Sequence, residues 1–199
     1  MAQRAGARAG PAGAARDDLA LFAIRETRIA MSLKPQDVLV TLKLVAQDGA
    51  DWSYPKLAVD LSMSASEVHS SVRRATKAGL LQGDERHAPI KRALVEFLVH
   101  GLKYVFPAER GRMTRGTPTS HAALPLRRHV AATDEPPPVW PDAEGDARGE
   151  ELTPLYRSAP KAARADARLY ELLARVDAIR GGRARERELA IKELRSRLA

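Results

Sequence analysis

Segment 64–77, SASEVHSSVRRATK, combines short hydroxyl side chains, an imidazole and basic groups within one predicted helix. Val68, Val72 and Ala75 recur at helical spacing and therefore mark the buried side of this helix. Serine and histidine on the opposite side can hydrogen-bond to base edges, and arginine and lysine suit phosphates. The candidate DNA-contacting residues of this helix are Ser64, Ala65, Ser66, His69, Ser70, Arg73, Arg74 and Lys77.

The same residue types also occur on the solvated face of an ordinary helical hairpin. A basic surface without a partner would show this spacing too, because only the apolar stripe is fixed by packing. The residues of this helix alone therefore leave DNA binding and a solvated basic face as two open interpretations.

Two short helical patterns on either side of a tight turn would position these side chains. Leu57 and Leu61 mark the buried side of the first helix, which begins near Pro55. Ser64 is a good N-cap for the second helix, and Gly79 is placed to end it. Two apolar stripes joined by so short a turn can share a core only by crossing steeply, which is helix-turn-helix geometry.

This stretch resembles the helix-turn-helix of bacterial winged-helix transcriptional regulators of the MarR, ArsR and Lrp types. The resemblance covers about residues 35–82 and departs from the family pattern at Ala75, where a leucine is usual. It implies a winged helix whose second helix contacts bases with its early residues and the DNA backbone with later basic ones. The matching residues are Leu57, Ala58, Leu61, Ser64, Val68, Ala78, Gly79, Leu80 and Leu81.

Length and composition set outer limits on the function. The chain has 199 residues, a net charge of +8 and no cysteine, so disulfides, thiolate zinc sites and cysteine nucleophiles are excluded. The positive charge favours a polyanionic partner. No apolar run approaches the ~20 residues that span a bilayer, and no signal-peptide core is present. We therefore expect a bacterial, cytoplasmic, nucleoid-associated protein that makes no membrane contact.

The N-terminal part divides into an extension and the start of a folded domain. Residues 1–30 are predicted to be a disordered extension because their first half offers almost nothing to bury. Met31 is the expected true initiator. Residues 31–130 are predicted to form a winged-helix DNA-binding domain, whose first helix runs from Gln36 to Gln47.

A wing is predicted, but not directly after Leu81. Pro89 instead opens an amphipathic helix over 90–101, and 102–106 alternates like a strand. The following PAERGRMTRGTPTS fits a displaced short β wing that contacts DNA, or a basic surface loop. The candidate contacts in this segment are Arg110, Arg112 and Arg115.

The last third of the chain consists of two segments that differ in composition. Residues 131–160 are acidic and Pro-rich and are predicted to be an extended linker, or an arm that docks on a protein partner through 134–160. Its costly exposed side chains would be Val139, Trp140, Leu155 and Tyr156. Residues 161–199 are predicted to be a C-terminal helical hairpin, broken at Gly181 and Gly182, for dimerisation or partner contact.

The sequence contains none of the catalytic motifs that we looked for. The five histidines lack metal-ligand spacing, and phosphate-binding loops and nucleophile motifs are absent. We predict no catalytic residue, no metal site and no cofactor, and therefore not an enzyme.

These observations combine into one predicted fold and two predicted functions. The fold is mainly α: a winged helix-turn-helix core with an extra amphipathic helix, a short β wing, an extended acidic arm and a C-terminal helical hairpin. The first function is a sequence-specific DNA-binding transcriptional regulator, a homodimer on a palindromic double-stranded site. The alternative is an antitoxin-like or adaptor protein that masks a protein partner, with DNA binding secondary or autoregulatory.

Overall fold

Helices make up most of the described structure, and one small sheet of three strands accompanies them. The computed structural model describes residues 32–130 and 135–199. The predicted extension, 1–30, and the expected start at Met31 lie outside these residues. The prediction of a mainly α protein is confirmed for the predominant element, and the sheet makes the described fold mixed α/β.

The helices largely follow the predicted periodicity. None of those in the described ranges has the length and apolar character needed to cross a lipid bilayer. In chain order they are α1 (Pro35–Gln47), α2 (Tyr54–Leu61), α3 (Ala65–Lys77), α4 (Lys91–Glu96), a π-helical turn (Phe97–Gly101), α5 (Leu102–Val105), α6 (Ala159–Ala165), α7 (Ala167–Gly181) and α8 (Ala184–Leu198).

The first three helices confirm the predicted helix-turn-helix segment and the helix before it. α3 packs against both α1 and α2. Ser53 caps α2 by accepting a hydrogen bond from the Lys56 N–H, as its position before the apolar pattern predicts. Ser62 adopts a left-handed conformation with φ 51°, which lets the chain turn within a few residues before α3 begins.

A short antiparallel hairpin follows α3, but it holds one isolated bridge and no strand, so the prediction that no two-stranded wing lies directly after Leu81 is confirmed for these residues. The Ile90 N–H donates to the Leu80 carbonyl and the Gln82 N–H to the Ala88 carbonyl, each at 2.9 Å. These bonds flank an isolated bridge between Leu81 and Pro89. The pairing is too short for alternating hydrophobicity to reveal it.

The strand predicted over 102–106 is wrong, because the helix continues through most of this segment. The π-helical turn carries the chain directly from α4 into α5. Leu94, Leu98 and Leu102 are all fully buried, so one apolar stripe with helical spacing runs through the whole segment.

Three strands pair mutually into a small closed sheet. β1 runs antiparallel to both other strands, while β2 and β3 run parallel to each other. The strands are β1 (Arg110–Pro118), β2 (Pro138–Pro141) and β3 (Ala147–Leu152).

β2 and β3 lie in the segment predicted to be an extended arm, 131–160, and that prediction was wrong for its described residues. Val139 and Trp140 are buried, which removes the expected cost of leaving them in water. Pro138 and Pro141 occupy the two ends of β2, where a missing backbone donor is tolerated. The Pro-rich composition therefore predicted a linker where the structure has a strand.

Two glycines allow the strands to approach closely. A β carbon at Gly116 would lie 1.9 Å from the Trp140 carbonyl oxygen, and one at Gly149 would lie 1.9 Å from the Pro137 carbonyl oxygen. Both contacts would be with backbone atoms, which cannot move aside as a flexible side chain can. These two positions therefore require glycine.

A buried carboxylate attaches this sheet to α7. Asp177 is 1% exposed and accepts hydrogen bonds from Thr119 Oγ1 at 2.9 Å and Trp140 Nε1 at 2.6 Å. Arg180 Nη1 donates to the same carboxylate at 2.7 Å, and Arg180 Nε donates to the Phe106 carbonyl at 2.8 Å. Burial raises the pKa of the Asp177 carboxyl, and Arg180 and the two neutral donors oppose that shift.

The C-terminal helices bury their apolar stripes inside the chain. α7 packs against α1, α6 and α8. The first part of the helical hairpin predicted over 161–199 is interrupted at Asp166, which adopts an extended conformation and caps α7. Asp166 also pairs with Lys43 of α1 at 2.8 Å, and this contact holds the break in place.

Residues Leu33–Ala199 form one compact unit. A single core cluster includes Val38 of α1, Trp140 of β2 and Leu194 of α8. The chain therefore shows no division near residues 130 and 160, where a linker was predicted. The apolar stripes of 161–199, the segment predicted to serve dimerisation or partner contact, are buried within this core.

Candidate nucleic-acid interface

One face of α3 is open to solvent and carries most of the predicted DNA-contacting residues. Ser66, His69, Arg73 and Lys77 are exposed, and Ser70 between them is half-buried. At about 100° per residue these side chains fall within a sector of roughly 100°. Ser64 and Ala65 are exposed at the start of the helix.

Local interactions fix the ends and the opposite side of α3. Ser64 Oγ accepts from the Glu67 N–H at 3.2 Å, and the Glu67 carboxylate accepts from the Ser64 N–H at 2.9 Å. Val68 and Val72 are buried on the core side. Gly79 follows the helix with φ 73°, a conformation that favours glycine. The predicted cap, stripe and end of this helix are all confirmed.

Arg74 is the predicted contact residue that does not belong to this face. It is 7% exposed and donates to both oxygens of the fully buried Asp37, from Nε at 2.8 Å and from Nη2 at 2.6 Å. Its Nη2 also lies 3.2 Å from Ser71 Oγ. The prediction that Arg74 points outward was wrong, because this guanidinium joins α3 to the first turn of α1.

An aromatic group connects α2, α3 and the hairpin beside the open face. The Tyr54 ring lies 5.1 Å from the His69 ring and 5.2 Å from the Trp52 ring, centroid to centroid. Trp52 Nε1 donates to the Arg86 carbonyl in the hairpin at 3.2 Å. Trp52 and Tyr54 therefore pack between these elements, and Tyr54 limits the orientations open to His69.

The predicted wing arginines lie on β1, which is a strand of the closed sheet and not part of a free hairpin. Arg110 pairs with the Glu150 carboxylate, and Arg115 Nε donates to the Gly145 carbonyl at 2.6 Å. Arg112 is exposed, with no hydrogen-bond or ion-pair partner within 32–130 and 135–199. Two of the three side chains therefore already have partners inside the protein.

A contact that the sequence did not indicate borders the first turn of α3. Tyr156 Oη donates to Glu67 Oε1 at 2.9 Å, and Arg157 Nη2 lies 3.5 Å from the same oxygen. Hydrogen bonds from the Ser64 N–H, the Ser64 hydroxyl and Tyr156 lower the pKa of the Glu67 carboxyl. Tyr156 therefore anchors its segment on α3 and is not left in water as the extended arm would leave it.

No family model matches the chain, and neither a curated protein nor a solved structure shows significant similarity to it. The resemblance to winged-helix regulators therefore remains a hypothesis drawn from residues 35–82. The geometry and chemistry of α3 and its neighbours are the observations that bear on the function.

Proposed function

We propose that the protein is a sequence-specific DNA-binding transcriptional regulator that places α3 in the major groove. The observation that supports this most directly is the open face of α3. Ser66 and His69 on its early part offer donors and acceptors, and Arg73 and Lys77 follow as cations. This order matches base contacts near the start of a recognition helix and backbone contacts further along.

The dimensions and side-chain sizes of α3 suit this placement. A helix with its side chains is about 10–12 Å across, and the major groove is about 12 Å wide. Ala65 and Ser66 are small and exposed, so the start of α3 can approach the groove floor without a bulky side chain intervening.

The double variant Ser66→Ala with His69→Ala tests base recognition. We expect it to lose about 1–3 kcal/mol of binding free energy on a cognate duplex and little on random DNA, because only base-specific hydrogen bonds are removed. The cognate duplex is first selected from a randomised pool with the wild-type protein, and both affinities are measured by fluorescence anisotropy. The matched control, Ser196→Ala with His129→Ala, removes the same exposed residue types outside α3. Selection that enriches no sequence, or an unchanged ratio of the two affinities, would contradict base recognition by α3.

Arg73→Ala and Lys77→Ala test the backbone contacts separately. Each is expected to weaken binding to cognate and random duplexes alike and to flatten the slope of log affinity against log salt by about one unit. A series of salt concentrations measured on both duplexes gives this slope directly. A loss confined to the cognate duplex would move the residue into the base-contacting group.

The homodimer on a palindromic site remains part of this proposal. A two-fold symmetric selected sequence would be its best support, because a dimer with two-fold symmetry reads two half-sites. Light scattering at tens of micromolar protein tests it directly. The alternative of an adaptor that binds a partner through 134–160 is not favoured, because Val139, Trp140 and Leu155 are buried in the chain itself.

A further inference from the structure

We propose that Arg157, in the segment between β3 and α6, is a further phosphate-contacting residue of the DNA surface beside the first turn of α3. This inference rests on the proposed DNA binding. It adds to the surface a residue that lies far outside the helix-turn-helix segment in sequence.

Arg157 is held beside α3 by the preceding residues. Leu155 is buried in the common core, and Tyr156 Oη donates to Glu67 Oε1 at 2.9 Å. The Arg157 guanidinium carbon lies 5.6 Å from the centre of the Tyr156 ring. An anchored leucine and a hydrogen-bonded tyrosine thus fix where the arginine leaves the protein surface.

The guanidinium of Arg157 is available to an external anion. Its side chain is 79% exposed, and its ion-pair contact in the described structure is the 3.5 Å approach of Nη2 to Glu67. A guanidinium has five N–H donors in a planar fork that fits phosphate oxygens, and this approach engages few of them. The remaining donors can bind a phosphate without breaking a buried interaction.

The distribution of charge along α3 indicates where Arg157 would contact DNA. The helix's own exposed cations, Arg73 and Lys77, lie in its second half, and its first turn carries the acid Glu67. Glu67 and Lys77 are about 15 Å apart along the axis at 1.5 Å per residue. The major groove is about 12 Å wide, so cations at the two ends of α3 can face the phosphates on its two sides. Arg157 supplies the cation at the first end and offsets the charge of Glu67 there.

The experiment measures binding of the full chain to a duplex of random sequence by fluorescence anisotropy over a series of salt concentrations. Arg157→Gln is expected to flatten the salt slope by about one unit, and Arg157→Lys to retain most of the wild-type slope. Arg195→Gln removes one exposed arginine of α8 that has no partner within the described ranges, and it should leave the slope unchanged. Circular dichroism verifies that all variants fold.

Tyr156→Phe tests the positioning role of the tyrosine. Without its bond to Glu67 the segment is less fixed, so we expect a smaller flattening of the slope than Arg157→Gln produces, with Arg157 still present. A wild-type slope in Tyr156→Phe would remove the positioning role of Tyr156.

The outcomes separate this inference from the proposed function. If the wild-type protein fails to bind the duplex even at low salt, DNA binding itself is overturned. If the wild type binds and Arg73→Ala flattens the slope but Arg157→Gln does not, DNA binding stands and the role of Arg157 is overturned. Equal losses in Arg157→Lys and Arg157→Gln would also contradict a contact based on charge.

Discussion

Arg74→Ala is expected to destabilise the protein by about 3–5 kcal/mol. The substitution leaves the fully buried carboxylate of Asp37 without its counter-charge, and the remaining hydrogen bond from the Lys34 N–H at 2.8 Å compensates for only part of the loss. Urea unfolding monitored by circular dichroism measures the change in free energy of unfolding.

Arg73→Ala is the matched control, because it removes the neighbouring but exposed arginine. It should change stability by no more than about 0.5 kcal/mol. In DNA binding we expect the opposite ranking, with the larger effect from Arg73→Ala. Arg73→Ala flattens the salt slope, whereas Arg74→Ala, measured where it remains folded, leaves the slope at the wild-type value. A stable Arg74→Ala variant with a flattened slope would show that this guanidinium leaves Asp37 and contacts the DNA backbone.

Asp177→Ala is expected to have a similarly large effect on stability, about 3–5 kcal/mol. The carboxylate joins α7 to the sheet through Thr119 and Trp140, and it neutralises Arg180 within the protein. Its removal leaves a buried indole N–H without an acceptor and a buried guanidinium without its counter-charge. Urea unfolding again gives the magnitude.

Glu188→Ala provides the comparison for the loss of one negative charge, because Glu188 is exposed on α8. It should be nearly neutral for stability. Asp177→Asn keeps an acceptor while removing the charge, so we expect a loss between those of the other two variants. If Asp177→Ala unfolds at the same urea concentration as Glu188→Ala, the sheet does not depend on this carboxylate for its attachment to α7.

The helix-turn-helix segment was predictable because its determinants are local. Ser64 and Glu67 are three residues apart, and the apolar positions of α3 repeat within a single helix. The same local logic applied to Leu94, Leu98 and Leu102, whose constant spacing continues into α5. The strand predicted over 102–106 gave too much weight to alternation in a short segment and too little to this longer stripe.

The sheet could not be predicted, because its pairing depends on residues that are distant in sequence. β2 pairs with β1 through contacts such as Thr117 with Trp140, and a four-residue strand with a proline at each end carries no periodicity of its own. Strand propensity depends chiefly on the surface against which a strand packs, and that surface is not visible locally. The acidic, Pro-rich composition around β2 indicated the opposite structure.

The exposed face of α3 was predictable from the sequence, whereas the contacts of Arg74 and Tyr156 beside it were not. At about 100° per residue, Arg74 lies well round the helix from Arg73, and this angle alone could have separated the two arginines. The partner of Arg74 is 37 positions away, and that of Tyr156 is 89 positions away. Neither partner leaves a signal near the residue it contacts.

The packing of α7 against α1 has a consequence for folding of the nascent chain on the ribosome. Synthesis proceeds from the N-terminus, so α1 and α3 emerge long before the helix that covers α1. Chains generally fold in units as they are synthesised, and this unit closes only when α8 brings Leu194 and Leu198 to the core. Until then α3 belongs to a body whose core is incomplete. The apolar surface of α1 that α7 covers is exposed to water during this interval.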